Sequence, residues 1–298
     1  MKLATTTGDF SWYVSDQAET IAYIANAGFR YLDYNFERDY RERTGVYCEG
    51  ARTYGERLRR QADKFGVQFV QAHAPMGAPI AEDNQNFIQD TIRCVELCHE
   101  LSIPNLVVHS GYLPNLTMEE TFEKNKAFFR KILQVAENYG INILVENFDK
   151  MCIDCIYWID NAPDLLKLIE YVDHPLFHAV WDAGHGNMQP MPQHESLNIL
   201  GKHIYALHIQ DNMGEKDEHR PPFFGTLSLD SLMHGLKKIG YNGYFTFETG
   251  IFTSELIRKE FTQDERLKKA PLELKIKAES LLYEIGKYIL ISYDCFEE

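Results

Sequence analysis

Residues 117–146 read TMEETFEKNKAFFRKILQVAENYGINILVE, and their pattern indicates the fold class. Apolar residues recur at helical spacing over Thr117–Tyr139, which predicts an amphipathic helix. Gly140 stands where a helix C-cap glycine belongs. The short apolar run Asn142–Val145 then predicts a buried strand, and Glu146 follows it directly. Helix, glycine and strand form one unit, and the rest of the chain repeats it.

The repeats of this unit cover most of the chain. The runs predicted as strands are Leu3–Thr7, Tyr31–Tyr34, Gln68–Ala72, Asn105–Val108, Asn142–Val145, His178–Trp181, Tyr205–Leu207 and Tyr244–Phe247. The stretches predicted as helices are Asp16–Ala27, Gly55–Phe65, Asn84–Leu101, Thr117–Tyr139, Ala162–Val172 and Leu229–Ile239. Glycines also follow helical runs at Gly28, Gly66 and Gly240.

About eight alternations of strand and helix without a linker predict an α/β fold, a parallel (β/α)8 TIM barrel. A doubly wound open sheet is the main alternative. It favours a glycine-rich turn after the first strand, whereas residues 5–9 read TTTGD. The same sequence gives no sign of a nucleotide cofactor.

We predict one domain over residues 1–298, with the barrel at about 1–250 and a helical extension at about 251–298. Within the extension, Glu255–Lys269 is strongly charged and Leu272–Ile291 is amphipathic. The extension either covers one face of the barrel or mediates dimerisation, so a homo-oligomer stays open.

Charge limits the classes of partner. The chain has 30 Lys+Arg against 44 Asp+Glu, a net charge of −14. Such an acidic protein repels phosphate backbones, which disfavours nucleic acids and anionic membranes, although a small anionic substrate needs only a local basic pocket. The arginine-rich stretch is interleaved with acidic residues and is predicted to be a solvated loop and helix. Its arginines are Arg38, Arg41, Arg43, Arg52, Arg57, Arg59 and Arg60.

Targeting signals are not evident. The opening MKLATTTGDF is too polar for the apolar core of a signal peptide, and no apolar run approaches the roughly 18 residues of a membrane helix. We therefore expect a cytoplasmic protein with reduced cysteines. Cys152 and Cys155 form a C-x-x-C pair without a partner pair, for which redox or zinc chemistry is the weaker interpretation. Cys94 and Cys98, four residues apart on a predicted helix, are expected to pack in the protein core.

The last four predicted strands each end at or just before a residue that can bind a metal. These residues are Glu146, Asp182, His208 and Glu248. Each alone is expected to cap a helix or to be a hydrogen-bonded core histidine. Together they would converge at one mouth of a barrel, where the mutual repulsion of buried carboxylates requires a cation. Three carboxylates and one imidazole suit Mn²⁺, Mg²⁺, Co²⁺ or Zn²⁺.

Further candidate residues surround these four. Two earlier strands end in His73 and His109, and His185 follows Asp182 by three residues. The loop after His208 contains Asp217, His219 and Arg220, which form either a metal- or substrate-binding set or a solvated charged loop tip. The residues predicted to wall the pocket and exclude water are Phe10, Trp12, Phe148 and Trp181.

Seven short motifs give the chain a family resemblance. They are His73-Ala74-Pro75, Val108-His109-Ser110-Gly111, Val145-Glu146-Asn147, Trp181-Asp182-Ala183-Gly184-His185, Leu207-His208-Ile209-Gln210-Asp211-Asn212, Gly225-Thr226-Leu227 and Gly243-Tyr244-Phe245-Thr246-Phe247-Glu248. From about Leu3 to Thr249 the chain resembles the xylose-isomerase-like TIM barrels. This sugar phosphate isomerase/epimerase superfamily also contains endonuclease IV.

The resemblance implies a metal-dependent sugar or sugar phosphate isomerase or epimerase. In the ketose 3-epimerase and hydroxypyruvate isomerase branches, one metal is held at the positions of Glu146, Asp182, His208 and Glu248. The two glutamates there also act as acid and base on an enediolate that the metal stabilises. His185 and Arg220 match substrate-binding positions. Cys152 stands near the place of a further acidic residue of the 3-epimerases, which argues against that specific activity.

The resemblance also implies two alternatives. Endonuclease IV holds three zinc ions with nine ligands, and this chain has the matching type at all nine positions. They are His73, His109, Glu146, Asp182, His185, His208, Asp217, His219 and Glu248. A zinc-cluster phosphodiesterase or abasic-site endonuclease is therefore the first alternative, and a keto-sugar lyase or dehydratase on the same metal site is the second. The non-enzymatic alternative is a metal-free barrel that binds a sugar or acts as a scaffold.

Overall fold

A computed structural model describes residues 1–148, 159–250 and 270–298. In these residues eight parallel strands form one sheet in the order β7-β6-β5-β4-β3-β2-β1-β8. The strands are β1 (Lys2–Thr6), β2 (Tyr31–Asn35), β3 (Gln68–His73), β4 (Asn105–Val107), β5 (Asn142–Glu146), β6 (Phe177–Asp182), β7 (Ile204–His208) and β8 (Tyr244–Phe247). The first and last residues of all eight strands agree with the predicted ones to within one residue.

The sheet curls until its two end strands meet. Strand β1 pairs with both β2 and β8, and Thr5 lies opposite Phe247 in the second pairing. Beyond the end of β7, the Ile209 amide donates to Thr246 O (2.8 Å) and the Glu248 amide donates to Ile209 O (3.1 Å). These bonds close the seam between β7 and β8, so the predicted (β/α)8 barrel is confirmed.

Helices connect successive strands and surround the barrel. They are α1 (Thr20–Ala27), α2 (Glu37–Glu42), α3 (Val46–Glu49), α4 (Ala51–Phe65), α5 (Gln85–Leu101), α6 (Met118–Tyr139), α7 (Ala162–Val172), α8 (Ala183–Asn187), α9 (Gln193–Leu200), α10 (Leu229–Ile239) and α11 (Leu272–Ser292). Helix α6 begins at a capping box in which Thr117 and Glu120 bond each other's backbone. It ends at Gly140, whose φ of 66° is unfavourable for residues with a Cβ.

Four short helices were not predicted from the sequence. Helices α2 and α3 lie in the arginine-rich stretch, and α8 and α9 follow β6. Short charged or glycine-containing segments give little periodic signal, and their ends depend on tertiary contacts. In α2, Arg38 and Arg41 pair with Glu42 and Glu37 one turn away. The Arg41 side chain is 62% exposed, whereas that of Arg38 is only 14% exposed, so only part of this stretch is solvated.

The strands separate two apolar regions because alternate side chains point to opposite faces. Inside the barrel, Val107, Leu144, Val180 and Ala206 form a small cluster of their own. The residues between them point outward, where the strands pack against the helices in the main core. In β5 and β6, the inward positions end with Glu146 and Asp182. This alternation therefore aims the strand-end acids into the barrel mouth.

The cysteines and the hydropathy follow the predictions where the structure describes them. Cys94 and Cys98 are fully buried in α5 and pack in the core. Cys152, Cys155 and the charged stretch Glu255–Lys269 lie outside the described residues. Over the described ranges, every helix is too short or too polar to cross a bilayer.

Helix α11 attaches to the barrel through a buried ionic group. The Lys275 ammonium lies 3.3 Å from Asp9 Oδ2 and 3.4 Å from Glu279 Oε2, and all three side chains are at least 95% buried. Thr5 donates its hydroxyl proton to Glu279 Oε1 (2.7 Å). Because these contacts join α11 to β1 and to the loop after it, we propose that α11 belongs to the barrel domain.

The buried group predicts a pH dependence of stability. Burial, aided by the carboxylate of Glu279, raises the pKa of Asp9 to about 8 despite the attraction of Lys275. Between about pH 4 and pH 8 the folded protein therefore holds a proton that the unfolded chain has lost, so stability falls as the pH rises through this window. Asp9→Asn cannot ionise and is expected to remove this fall, which amounts to a few kcal/mol by pH 8.

Urea unfolding at pH 5 and pH 8 measures the effect as the difference between wild type and variant. Asp63→Asn, on the exposed side of α4, is the matched control and should change neither value. Equal pH slopes for wild type and Asp9→Asn would contradict the prediction.

Candidate metal centre

The four strand-end residues predicted as ligands meet at one mouth of the barrel. Glu146, Asp182 and His208 are the last residues of β5, β6 and β7, and Glu248 directly follows β8. In the ladder between β6 and β7, Asp182 lies beside His208. One donor atom from each of the four lies within 4.8 Å of the others. The convergence that the strand-end pattern predicted is therefore present.

The contacts within this group centre on the imidazole of His208. Its Nδ1 lies 2.9 Å from Glu146 Oε1 and 3.4 Å from Glu248 Oε2. His208 is fully buried, Glu146 is 1% exposed, and the Glu248 side chain is 16% exposed. Nδ1 therefore faces the carboxylates, and it is the ring nitrogen available to a cation between them.

Asp182, a member of this group, has a buried carboxylate oxygen without a hydrogen-bond partner among the described residues. Its Oδ1 accepts the His185 amide (2.6 Å), whereas its buried Oδ2 has no hydrogen-bond partner among the described residues. Burial raises the pKa of Asp182 to about 7, and the neighbouring carboxylates of Glu146 and Glu248 add to the rise. A buried carboxylate oxygen without a partner is costly, and a divalent cation would satisfy it. The donor set therefore fits a metal ion.

Glu146 contacts three histidines through its two carboxylate oxygens. Its Oε2 lies 2.8 Å from His109 Nε2 and 3.4 Å from His73 Nε2, while Oε1 faces His208. Burial alone would raise the pKa of Glu146, but the surrounding imidazoles hold it well below its usual value. Glu146 therefore stays a carboxylate and can bridge two positions, one beside His73 and His109 and one beside His208.

A second group of donors lies next to the first. His185 Nε2 and His219 Nε2 lie 3.5 and 2.9 Å from Asp217 Oδ2. The Nδ1–H of His185 donates to Asn147 O (2.9 Å), and that of His219 donates to Glu248 O (2.7 Å). These bonds to backbone carbonyls leave both Nε2 atoms free to bind a ligand. His185, Asp217 and His219 thus form a separate three-residue cluster with metal-binding chemistry.

Two adjoining cavities of about 340 and 220 Å³ open above these groups. Trp12, which is 61% exposed, lines the larger cavity, and Phe148 lines the smaller one beside His109 and His185. Asp217, His219 and Glu248 line both cavities. Two members of the first group, Glu146 and Glu248, and all three members of the second therefore line an open cavity that can admit a small molecule.

Three residues expected at this pocket lie elsewhere. Phe10 is fully buried beneath the ammonium of Lys275, and it packs in the core. Trp181 is also fully buried and points outward from β6, because it alternates with the inward Asp182; its indole donates to Gln193 (2.8 Å). Arg220 pairs with Glu218 and lines neither cavity, because its guanidinium turns back along its own loop. The expectation that Phe10 and Trp181 wall the pocket was wrong.

Two polar residues that the sequence interpretation missed lie in the barrel directly below the first group. Asp33, on β2, is 1% exposed, and its Oδ2 lies 3.2 Å from His208 Nε2. Gln71, on β3, donates to the same Oδ2 (2.9 Å). The signal was present in the sequence, because an aspartate in the middle of the strand Tyr31–Asn35 is unusual.

Comparison with known proteins agrees with this architecture. The family model described as xylose isomerase-like TIM barrel matches residues 21–270. The chain belongs to this family. The resemblance inferred from the seven motifs is therefore confirmed. An uncharacterized protein of Methanocaldococcus jannaschii is 28% identical to this chain over 233 residues, which cover 74% of this chain and 78% of that protein.

Two solved structures illustrate the range of similar proteins. A D-psicose 3-epimerase from Clostridium cellulolyticum, with D-tagatose, has a TM-score of 0.76 at 16% identity, covering 97% of this chain and 99% of its own. An AP endonuclease, family 2, from Brucella melitensis has a TM-score of 0.69 at 17% identity, covering 84% and 93%. At such identities the likeness shows the xylose isomerase-like fold, and the activity must be argued from the site.

Proposed function

We propose that this protein is a divalent-metal-dependent sugar or sugar phosphate isomerase or epimerase. The observation that carries the proposal is the converging set of Glu146, Asp182, His208 and Glu248 with the unpartnered Oδ2 of Asp182. Mn²⁺, Zn²⁺, Mg²⁺ and Co²⁺ all suit these oxygen and nitrogen donors. The similarity in fold to a sugar 3-epimerase supports the same class of reaction.

The residues of the site have distinct roles in this proposal. A bound divalent cation would supply a Lewis acid that polarises the substrate carbonyl. Glu146 and Glu248, whose carboxylates both approach His208 Nδ1, remove a proton from the carbon beside that carbonyl and return it. Return to the neighbouring carbon gives isomerisation, and return to the opposite face of the same carbon gives epimerisation. Phe148 and Trp12 line the cavity in which the substrate would lie.

The second candidate function is a zinc-cluster phosphodiesterase or abasic-site endonuclease. It is favoured by two further donor groups: His185 with Asp217 and His219, and His73 with His109 at the outer oxygen of Glu146. The Nδ1–H of His73 donates to Ala74 O (2.8 Å), so its Nε2 is also free to bind a ligand. Two or three ions can therefore be accommodated by the donors that this chain presents.

The arginine-rich stretch argues against the nuclease. Six of its arginines pair with carboxylates, and these pairs neutralise the positive charge that a DNA backbone would require. The pairs are Arg38–Glu42, Arg41–Glu37, Arg43–Asp90, Arg52–Glu56, Arg57–Asp16 and Arg59–Glu100. We therefore favour a small-molecule sugar as substrate. A lyase or dehydratase acting on a keto-sugar would use the same proton abstraction and differs only in its product.

Metal counting and product analysis test the proposal together. Elemental analysis of purified protein is expected to give one divalent ion per chain, and chelation should remove activity that the ion restores. Incubation of candidate ketoses in D₂O should give isomers or epimers with one solvent deuteron at the exchanged carbon. Three zinc ions per chain with cleavage of abasic DNA would favour the nuclease, and a protein that binds no metal would refute both.

A further inference from the structure

Asp33 lies outside the predicted ligand set, yet it contacts one of its members. It belongs to β2, across the barrel from His208 on β7. Its Oδ2 lies 3.2 Å from His208 Nε2, on the side of the ring opposite to the candidate metal position. Asp33 is 1% exposed, and its Oδ1 has no hydrogen-bond partner among the described residues. Burying such a carboxylate costs free energy unless a specific donor forms a hydrogen bond to it.

The other histidines of the site each have an acceptor for the proton on the ring nitrogen that faces away from the carboxylates. His73, His185 and His219 each donate Nδ1–H to a backbone carbonyl and present Nε2 to a carboxylate. His208 is reversed, because its Nδ1 faces Glu146 and Glu248. Its Nε2 meets only the side chains of Asp33 and Gln71 among the described residues, so Asp33 takes the place that a carbonyl has for the other rings.

A register shift in the sheet places the two partners together. The pairing of β2 with β3 shifts between Leu32 and Asp33, which puts Gln71 directly beside Asp33. The amide nitrogen of Gln71 then donates to Asp33 Oδ2 (2.9 Å) and also lies 2.8 Å from His208 Nε2. Because an amide nitrogen is a donor, it cannot accept a proton from Nε2, and when Nδ1 binds a metal the acceptor for the Nε2–H is the carboxylate oxygen of Asp33. The carboxylate is thus held against the ring by a neighbouring strand. Its position is set by the barrel itself and not by a loop.

We propose that Asp33 is a positioning residue that accepts the Nε2–H of His208 and so keeps Nδ1 directed at the metal. This rests on the proposed function, because it assumes that Glu146, Asp182, His208 and Glu248 hold a divalent cation. A carboxylate behind a ligand imidazole fixes the tautomer and orientation of the ring and makes it a stronger ligand. Loss of such a partner weakens metal binding by about 10- to 100-fold.

The experiment measures the dissociation constants of Mn²⁺ and Zn²⁺, each by competition with a chelator. Asp33→Ala is expected to weaken both by roughly 10- to 100-fold, and Asp33→Asn, which keeps the shape with a neutral acceptor, by less. The absorption bands of the Co²⁺-loaded protein should shift in both variants. Asp39→Asn is the matched control: its carboxylate is also buried and accepts bonds from Tyr34, Tyr54 and Thr44, but it contacts no candidate ligand.

The outcomes separate this inference from the proposed function. Wild-type metal affinity in a folded Asp33→Asn protein, with an unshifted Co²⁺ spectrum, overturns the role of Asp33, and this variant decides if Asp33→Ala fails to fold. Equal weakening in Asp39→Asn would reduce the effect to general stability and also overturns it. Selective weakening in the Asp33 variants supports the inference even if no sugar is converted, which would count against the proposed function alone.

Discussion

Replacing Glu146 or Glu248 with glutamine is expected to lower turnover by roughly 10²- to 10⁴-fold in each case. Glutamine keeps the shape of the side chain but cannot accept a proton from substrate carbon at neutral pH. The two carboxylates approach the same nitrogen of His208, which places both beside the candidate cation. Steady-state kinetics on a ketose that the wild type converts, with metal content measured in parallel, gives the values.

The two variants should differ in how they lose activity. Glu146 contacts His73, His109 and His208, so Glu146→Gln is expected to lose bound metal as well as turnover. Glu248 is more exposed and makes fewer contacts, so Glu248→Gln should lose turnover while it keeps more of its metal. Both should remain folded, because glutamine preserves the packing.

The control is Glu137→Gln, which changes a partner of His174 on the outer surface of α6 and should be fully active. Near-normal turnover in both site variants would refute the assignment of acid and base.

Replacing Lys275 with methionine is expected to lower the free energy of unfolding by about 3 kcal/mol or more. The ammonium is the cation that faces the buried Asp9 and Glu279 carboxyl groups, at 3.3 and 3.4 Å. Methionine fills a similar volume without charge, so the loss comes from a carboxylate left in an apolar environment rather than from a cavity. Urea unfolding at pH 7 measures the change, and the melting temperature should fall by several degrees.

Two further variants test the origin of this effect. Lys277→Met makes the same replacement at an exposed position of α11 and should change stability by less than about 0.5 kcal/mol. Adding Glu279→Gln to Lys275→Met removes the unpaired charge and should recover part of the loss, which a double-mutant cycle quantifies. If Lys275→Met were as stable as wild type, the ionic group would not be what fastens α11 to β1.

The larger part of the site follows from local sequence patterns. A strand buried on both faces appears as a short apolar run, and the residue after it faces the barrel mouth. Glu146, Asp182, His208 and Glu248 could therefore be proposed as a set before any contact was known. The glycines at the helix ends are equally local, because a positive φ depends only on the residue and its immediate neighbours.

The sequence was less informative about which side chains near the strand ends line the pocket. Trp181 and Asp182 are adjacent, so they must point to opposite faces, and the tryptophan belongs to the outer core although it stands beside a candidate ligand. Phe10 follows the first strand, yet the turn of helix after Thr6 buries it under Lys275. Closeness in sequence to the site therefore did not give closeness in space.

Local sequence patterns were enough to predict the (β/α)8 alternation, the strand ends that carry acids and imidazoles, and the glycines that end the helices. Each of these depends on interactions within a few residues. Long-range packing was needed to bring Asp33 against His208 and Lys275 between Asp9 and Glu279. The partners in these contacts are 175 and 266 residues apart. Their meeting depends on the closure of the barrel and the register of its strands, which long-range packing sets.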